Sequence, residues 1–246
     1  MKNNALRGFS AAALLIMGMT ACGGPSNSPD VAATAGSASS EASPAPTEAP
    51  AKKYNTEELT ALVAEIKDAR GARLSVTSSA NLSGSMEQSK ALLSSMTVEP
   101  AECQEMALAG MPPSVEGASM AMGTSLDATA GASTVVSLTS GLDTEFLKQS
   151  IAQFGEVNKC ASMSMTTSGA AFDVALTMLN GLGSVPETIA YRTDTTLPDG
   201  RKQSLVTAQV VHRGVLMTVI ATGGKSEEDA VARVGAILDQ AAALVK

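Results

Sequence analysis

His212 is the only histidine in the chain, so a general-base mechanism that relies on imidazole would have to use it. No serine lies in the Gly-x-Ser-x-Gly turn that presents the nucleophile of many hydrolases. His212 also stands directly before Arg213-Gly214, a pair of residues typical of a tight turn. This position favours a histidine at the end of a strand over a catalytic one.

Carboxylates are the second kind of side chain that could catalyse a reaction. Asp173, Glu187 and Asp194 could meet in the fold and act as an acid/base pair, as two carboxylates do in glycosidases. The sequence does not show whether they come together. We predict no catalytic residue and no enzymatic activity, and the carboxylate pair stays open as the alternative.

The segment from Thr222 to Ser226 reads Thr-Gly-Gly-Lys-Ser and has part of the composition of a phosphate-binding loop. The complete motif requires a further glycine at position 219, where this chain has Val219. The segment therefore predicts a glycine turn in which Ser226 caps the following helix.

Metal ligands are scarce. One His and three Cys do not supply the four suitably spaced ligands of a closed zinc site. Two pairs of methionines, Met120 with Met122 and Met163 with Met165, place thioethers on one face of a strand, as a Cu(I) site would require. Methionines that fill a core explain the same spacing, because only 2% of the residues are aromatic and none is Trp. We predict no metal and no cofactor.

The N-terminal residues have the pattern of an export signal. A short basic region with Lys2 and Arg7 precedes an apolar stretch, from Phe9 to Met19, that is too short to span a bilayer stably. We predict a signal peptide over residues 1–21.

The signal ends in Met19-Thr20-Ala21-Cys22, which resembles a bacterial lipobox, with Met19 at a position where Leu is usual. The resemblance implies that Cys22 receives a diacylglyceryl group and becomes the new N-terminus. Acyl chains such as palmitate would then hold the protein on the outer face of the cell membrane. The alternative is an ordinary secretory signal that is cut after Ala21 or slightly later, with Cys22 incidental.

Residues 22–53 consist mainly of Ser, Ala, Pro, Gly and Thr, which leaves almost nothing to bury and predicts a disordered tether. Residues 54–246 would form one domain, since no second linker interrupts them. The net charge is -7, and it becomes -9 when the leader is removed with Lys2 and Arg7. This charge disfavours nucleic acid as a partner and leaves the lipid on Cys22 as the contact with the membrane.

Helices and strands occur in separate runs within residues 54–246. Asn55 and Glu58 form a capping box for an amphipathic helix that we expect Gly71 to close. Alternating segments follow, joined by turns such as Pro198-Asp199-Gly200, and Ser226 begins a last amphipathic helix. This order predicts an α+β fold, an antiparallel sheet with helices packed mainly on one face.

Cys103 and Cys160 are the cysteines that remain once Cys22 is lipidated. An exported chain meets an oxidising environment, so we predict that they form a disulfide. A redox-active pair is the alternative, but the chain has no Cys-x-x-Cys motif.

Residues 86 to 246 also resemble envelope lipoproteins of actinobacteria, whose domain is similar to the extracellular sensor domain of a mycobacterial serine/threonine kinase. The features that carry the resemblance are Val98 to Cys103 after a helix, Cys160 after another, the hairpin His212-Arg213-Gly214-Val215 and the terminal helix. The kinase domains usually carry two disulfides and more aromatic residues than this chain. The resemblance implies an α+β module with a cleft for an unidentified ligand, and it brings no catalytic residues.

Two functions follow as hypotheses. The first is a non-catalytic ligand-binding or sensor-type module of the cell envelope, which engages a small ligand or an envelope protein. The alternative is a lipid or glycolipid carrier, since a core without bulky aromatic residues leaves room for an apolar cavity. The sequence does not identify the ligand-binding residues.

Overall fold

The computed structural model describes residues 52–78, 88–89, 91–92, 94–109, 117–155, 157–167 and 170–246. The predicted leader, Cys22 and all but the last two residues of the predicted tether lie outside the described residues. Within the ranges given, no helix is both long and apolar enough to cross a membrane.

Four α-helices have both ends among the described residues: α1 (Thr56–Glu65), α2 (Gln104–Ala109), α3 (Thr144–Gly155) and α4 (Glu227–Leu244). Two short 3-10 helices, Ala101–Cys103 and Val157–Cys160, precede α2 and follow α3. The described strands are β1 (Ser75–Ser78), β2 (Thr97–Glu99), β3 (Ser119–Asp127), β4 (Ala132–Ser140), β5 (Ser162–Thr167), β6 (Ala170–Leu179), β7 (Ile189–Thr196), β8 (Lys202–His212) and β9 (Val215–Thr222).

These strands form one sheet in the order β1-β3-β4-β9-β8-β7-β6-β5-β2, and every neighbouring pair is antiparallel. The α+β class and the antiparallel sheet predicted from the sequence are confirmed. The strands at the two edges, β1 and β2, have four and three residues. Short edge strands present few unpaired backbone groups to other chains.

We call the face of the sheet that carries Val136, Val206 and Met217 the helix face, because α1 and α4 pack against it. Leu59 and Val63 of α1 and Leu238 of α4 are fully buried there. Most of the buried apolar side chains belong to this single cluster. Its burial is the main source of stability, at roughly 25 cal/mol for each Å² of apolar surface removed from water.

The opposite face, which we call the disulfide face, carries the side chains that alternate with these, such as Leu216 and Val211. Phe146 and Leu147 of α3 pack against them. Farther along the sheet, Cys103 and Cys160 are buried with strand residues from β2, β5 and β6. The structure thus adds smaller helices on the second face to the main helical layer on the first.

Helix α1 begins as the sequence predicts and ends earlier. The Asn55 side chain accepts a hydrogen bond from the Glu58 amide, and the Glu58 carboxylate accepts one from the Asn55 amide, both at 2.9 Å. The helix ends at Glu65, because Ile66 is already extended and turns the chain toward β1. Gly71 therefore does not close the helix. It lies in the next turn with φ of 78°, where its amide donates to the Asp68 carbonyl oxygen.

Candidate functional site

A concavity of about 180 Å³ lies on the disulfide face between α2 and strands β5, β6 and β7. We call it the hollow. Its lining is apolar except along β7, which contributes hydroxyl groups. The lining residues are Met106, Ala107, Val157, Met163, Met165, Val174, Leu176, Tyr191, Thr193 and Thr195.

The period of the strand explains why β7 faces the hollow with three hydroxyls. Tyr191, Thr193 and Thr195 are two residues apart, so their side chains lie on one face of the sheet. Thr193 is opposite Leu176 and Thr195 is opposite Val174 in the register of β6 and β7. Each hydroxyl therefore has an apolar neighbour across the strand pair, and the floor is amphipathic.

The disulfide between Cys103 and Cys160 holds the wall of the hollow in place. Their Cα atoms are 5.7 Å apart, a usual separation for two bonded cysteines. Cys103 immediately precedes α2, and Cys160 lies just before β5. The bond thus fixes the helix that bears Met106 beside the strand that bears Met163. The predicted disulfide is present in the structure.

Tyr191 is the most deeply buried polar group of the hollow, with 7% of its surface exposed. Burial raises the pKa of its hydroxyl to about 12, against the opposing effect of a hydrogen bond with Thr207. The phenol therefore stays neutral at physiological pH, where it can both donate and accept a hydrogen bond. Binding suits this group better than proton transfer, because a general acid or base works best with a pKa near the operating pH.

One of the two methionine pairs lies in a buried apolar cluster. Met163 is buried and Met165 partly buried in the apolar cluster around the disulfide. Met120 and Met122 occupy alternate positions of β3, opposite Thr139 and Ser137. In the described part of the chain, no three His, Cys, Asp or Glu side chains come together in a way that could hold a metal ion.

Two of the three candidate carboxylates line one polar depression of about 420 Å³, together with Arg192 and Lys202. Asp173 is opposite Thr196, and Asp194 is opposite Ala175, so the two carboxylates are diagonal neighbours on β6 and β7. Such positions are roughly 7–8 Å apart. Glu187 lies outside the depression, in the segment before β7.

The surroundings of this carboxylate pair suit a solvated charged surface better than an acid/base site. Arg192 donates to one oxygen of Asp194 at 2.8 Å, and Ser204 donates to the other. Arg192 also forms an ion pair with Glu227. Asp173 is exposed, and no aromatic side chain that could stack on a sugar lines the depression.

The glycine-rich segment before α4 binds the side chain of Arg233, which lies in α4. The carbonyl oxygens of Thr222 and Gly223 accept hydrogen bonds from the Arg233 guanidinium. A Cβ on Gly223 would lie 2.0 Å from the Gly131 carbonyl oxygen, which explains why glycine is needed there. Ser226 accepts a hydrogen bond from the Asp229 amide at 3.3 Å and caps α4. The predicted glycine turn and helix cap are confirmed.

His212 is the last residue of β8 and pairs with Val215 across the turn formed by Arg213 and Gly214. Burial lowers the pKa of its imidazole, and the neighbouring charge of Arg213 lowers it further. The histidine is thus a strand-end residue, as its sequence context predicts.

The sequence interpretation missed the residues of the hollow. The signal was present as Tyr191-x-Thr193-x-Thr195, an alternation that puts three hydroxyls on one face of a strand. The alternation does not reveal that α2 covers that face, since the contact depends on the fold.

No protein-family model and no curated protein sequence matches this chain. The solved structures that are similar to it include the following two. An uncharacterized protein from Mycobacterium smegmatis, an ortholog of Rv0999, has 17% identity and a TM-score of 0.39, over 61% of this chain and 76% of that one. The extracellular domain of PknH from Mycobacterium tuberculosis has 13% identity and a TM-score of 0.45, over 77% of this chain and 97% of that one. The second is an extracellular domain, as is the domain that the sequence resemblance names.

Proposed function

We propose that the protein is a lipid-anchored component of the cell envelope whose domain binds a small amphipathic ligand without catalysis. The hollow on the disulfide face is the observation that carries this function. It combines apolar walls with a few hydroxyls that can orient a ligand, the usual composition of small-molecule sites. A sensor-type role would follow if binding in the hollow alters the contact between α2 and the sheet.

The anchor is the first part of the proposal, and it rests on Met19-Thr20-Ala21-Cys22 and the tether behind it. Replacing Cys22 by Ala should move the protein from the membrane fraction to the medium or the soluble fraction. Detergent-phase partitioning of both forms measures this. Retention of the Cys22→Ala variant in the detergent phase would show that the anchor lies elsewhere.

The hollow is the second part, and n-octanol is a suitable probe because it has an apolar chain, one hydroxyl and no charge. Titration of octanol into the mature protein should shift the NMR signals of β7 and α2. Ala107→Leu should weaken binding at least tenfold, because the larger side chain occupies space in the hollow. Ala175→Leu is the matched control, since Ala175 lies on β6 at the other face. Equal effects of the two variants would place octanol outside the hollow.

The carrier function is the weaker alternative for the same surface. Sites that enclose drug-sized ligands have volumes of about 300–1,000 Å³, and the hollow has about 180 Å³. It can therefore accept one end of a lipid, with the rest left outside. Native mass spectrometry of protein isolated from the envelope separates the two functions: an entire co-purified lipid favours the carrier, and a smaller molecule favours the binding module.

A further inference from the structure

A second concavity lies apart from the hollow, between the turn after α1, the β3–β4 hairpin and α4, and we call it the groove. Its volume is about 410 Å³, within the range of small-molecule sites. Small side chains, Ala132, Ala232 and Ala236, leave the space open. Charged side chains of both signs surround this space, and their hydrogen bonds decide which of them can still bind a ligand.

Each carboxylate of the groove has at least one hydrogen bond or ion pair within the protein. Asp68 accepts hydrogen bonds from Arg70, from Ser125 and from two backbone amides. Burial opposes the ionisation of Asp68, but these bonds outweigh it and lower the pKa to about 2. Asp127 accepts from the amides of Thr129 and Ala130. Asp229 forms an ion pair with Arg233.

The guanidinium of Arg233 uses its N–H donors for hydrogen bonds within the protein. Its Nε donates to Asp229, and one terminal nitrogen donates to the Ser133 carbonyl oxygen and to Thr134 Oγ1. The other terminal nitrogen donates to the carbonyl oxygens of Thr222 and Gly223. A guanidinium has five N–H donors, and all five have a partner here. Arg233 therefore ties α4 to the sheet and has no donor left for a ligand.

The cations that remain are Lys67, Lys225 and one nitrogen of Arg70. Both lysines are exposed, and neither forms an ion pair with any described residue. Arg70 Nη1 is 3.6 Å from Asp127, longer than a hydrogen bond, so its N–H groups can still donate. The groove is thus lined by four cationic side chains and three carboxylates, a small excess of positive charge, although the protein as a whole is acidic.

The cations lie at separate positions along the groove. Gln240 accepts a hydrogen bond from the Lys67 amide at 3.0 Å, whereas Lys225 lies just before the first turn of α4. The eleven steps along α4 from Asp229 to Gln240 span about 16 Å at 1.5 Å per residue. A ligand with more than one anionic group would therefore reach more of these cations than a small monoanion.

We propose that the groove is a binding site for a small molecule that carries two or more oxyanion groups, phosphate or carboxylate. Lys67, Lys225 and Arg70 contact the anionic groups, and the alanines of the floor leave room for the body of the molecule. The site is independent of the hollow, so its test does not depend on the function proposed above.

Calorimetric titration at low ionic strength tests the site, with citrate and pyrophosphate, each of which carries more than one oxyanion group, as probes and acetate as the monoanion. The protein is the mature chain with Cys22→Ala, which leaves the domain unchanged. Citrate should bind more tightly than acetate. Lys67→Gln with Lys225→Gln should weaken citrate binding at least tenfold, while Lys148→Gln with Lys202→Gln, two exposed lysines outside the groove, should leave it unchanged.

Ala236→Leu separates a shaped site from general attraction to positive charge. Ala236 is exposed on α4 and lines the groove, so leucine fills space without removing a charge or breaking the helix. Citrate binding should fall several-fold in this variant. Absence of binding by every probe, or an equal loss in the Lys148/Lys202 control, would overturn the proposal.

The oxyanion groups could belong to a free molecule or to a lipid headgroup. Cosedimentation with cardiolipin vesicles, whose headgroup carries two phosphates, compared with phosphatidylcholine vesicles, distinguishes these sources. Binding to cardiolipin that the Lys67/Lys225 variant loses supports a headgroup ligand, and binding of citrate or pyrophosphate that the same variant loses supports a free one. Vesicle binding that the variant retains counts against the groove.

Discussion

The two halves of the sheet are stabilised by different means. The half formed by β1, β3, β4, β9 and β8 is covered by α1 and α4 on the helix face, and its large core includes Leu138, Met217 and Leu238. The half formed by β7, β6, β5 and β2 is covered on the opposite face by α2, the 3-10 helices and the disulfide. Its buried cluster around Met163 and Val174 is much smaller.

The two halves differ in how far their buried side chains can adjust. A large aliphatic core specifies one arrangement, because close-packed interiors tolerate few changes of volume. Methionines adapt to irregular space, and the small cluster relies on a covalent link for part of its stability. The hollow lies in this second half, where the side chains can adjust around a ligand while the disulfide keeps the wall in place.

Removal of the disulfide should have the largest effect on stability and should act mainly on the second half. Cys103→Ser with Cys160→Ser opens a link between residues 57 apart in sequence. The chain-entropy model assigns about 4 kcal/mol to such a loop. Chemical denaturation measures the loss, and hydrogen exchange should show faster opening of β5 and β6 than of β4 and β9. An even increase in exchange over the whole sheet would contradict the division into halves.

Leu238→Ala should have the next largest effect, and it should act on the domain as a whole. Leu238 is fully buried in the large core, so truncation should cost about 3 kcal/mol, within the ~2–5 kcal/mol range for such changes. Leu126→Ala is the control, since Leu126 is 68% exposed and should change stability by less than about 0.5 kcal/mol. Denaturant midpoints compare the two. A small cost for Leu238→Ala would mean that the core of the first half does not dominate the stability of the domain.

Asp68 should make the stability of the first half fall at acidic pH. The pKa of Asp68 is about 2 in the fold and 3.8 ordinarily, so its contribution is complete above about pH 4 and is lost as the pH falls toward 2. Asp68→Asn should cost about 2 kcal/mol at neutral pH, because several hydrogen bonds to a charged group weaken. The variant should also lose that part of the pH dependence.

Asp173→Asn is the control for this measurement, since Asp173 is exposed. Urea unfolding from pH 5 down to pH 2 compares both variants with the original chain. Identical pH profiles for Asp68→Asn and the original chain would rule out Asp68 as the source.

The smallest effect is expected at the first turn of α1. Asn55→Ala removes the side chain that caps the helix and should cost about 1 kcal/mol. Asn55→Gly should cost only a few tenths of that, because glycine is also accepted at this position. Thermal unfolding of both variants checks the order, and an Asn55→Ala variant as stable as the original chain would show that the side-chain hydrogen bond is not what matters.

Local patterns predicted the elements of this fold well. The capping box at Asn55, the hairpin turn at Arg213-Gly214 and the cap at Ser226 each depend on residues close in sequence, and the structure has all three. Gly71 was misinterpreted for a tertiary reason. Helix α1 has to end at Glu65 so that Ile66 can enter the core and the chain can return along β1.

The sequence alone determined the α+β class, the antiparallel strands and the disulfide partners, because alternation, turn residues and cysteine count are local or compositional properties. Only the tertiary structure decided which faces the helices cover, that Tyr191, Thr193 and Thr195 line a hollow, and that Asp173 approaches Asp194. The tertiary structure also decided how the charged side chains of the groove are paired, since hydrogen-bond partners of Asp68 and Arg233 come from distant segments. Contacts between remote segments depend on the order of the strands in the sheet, and no local pattern encodes that order.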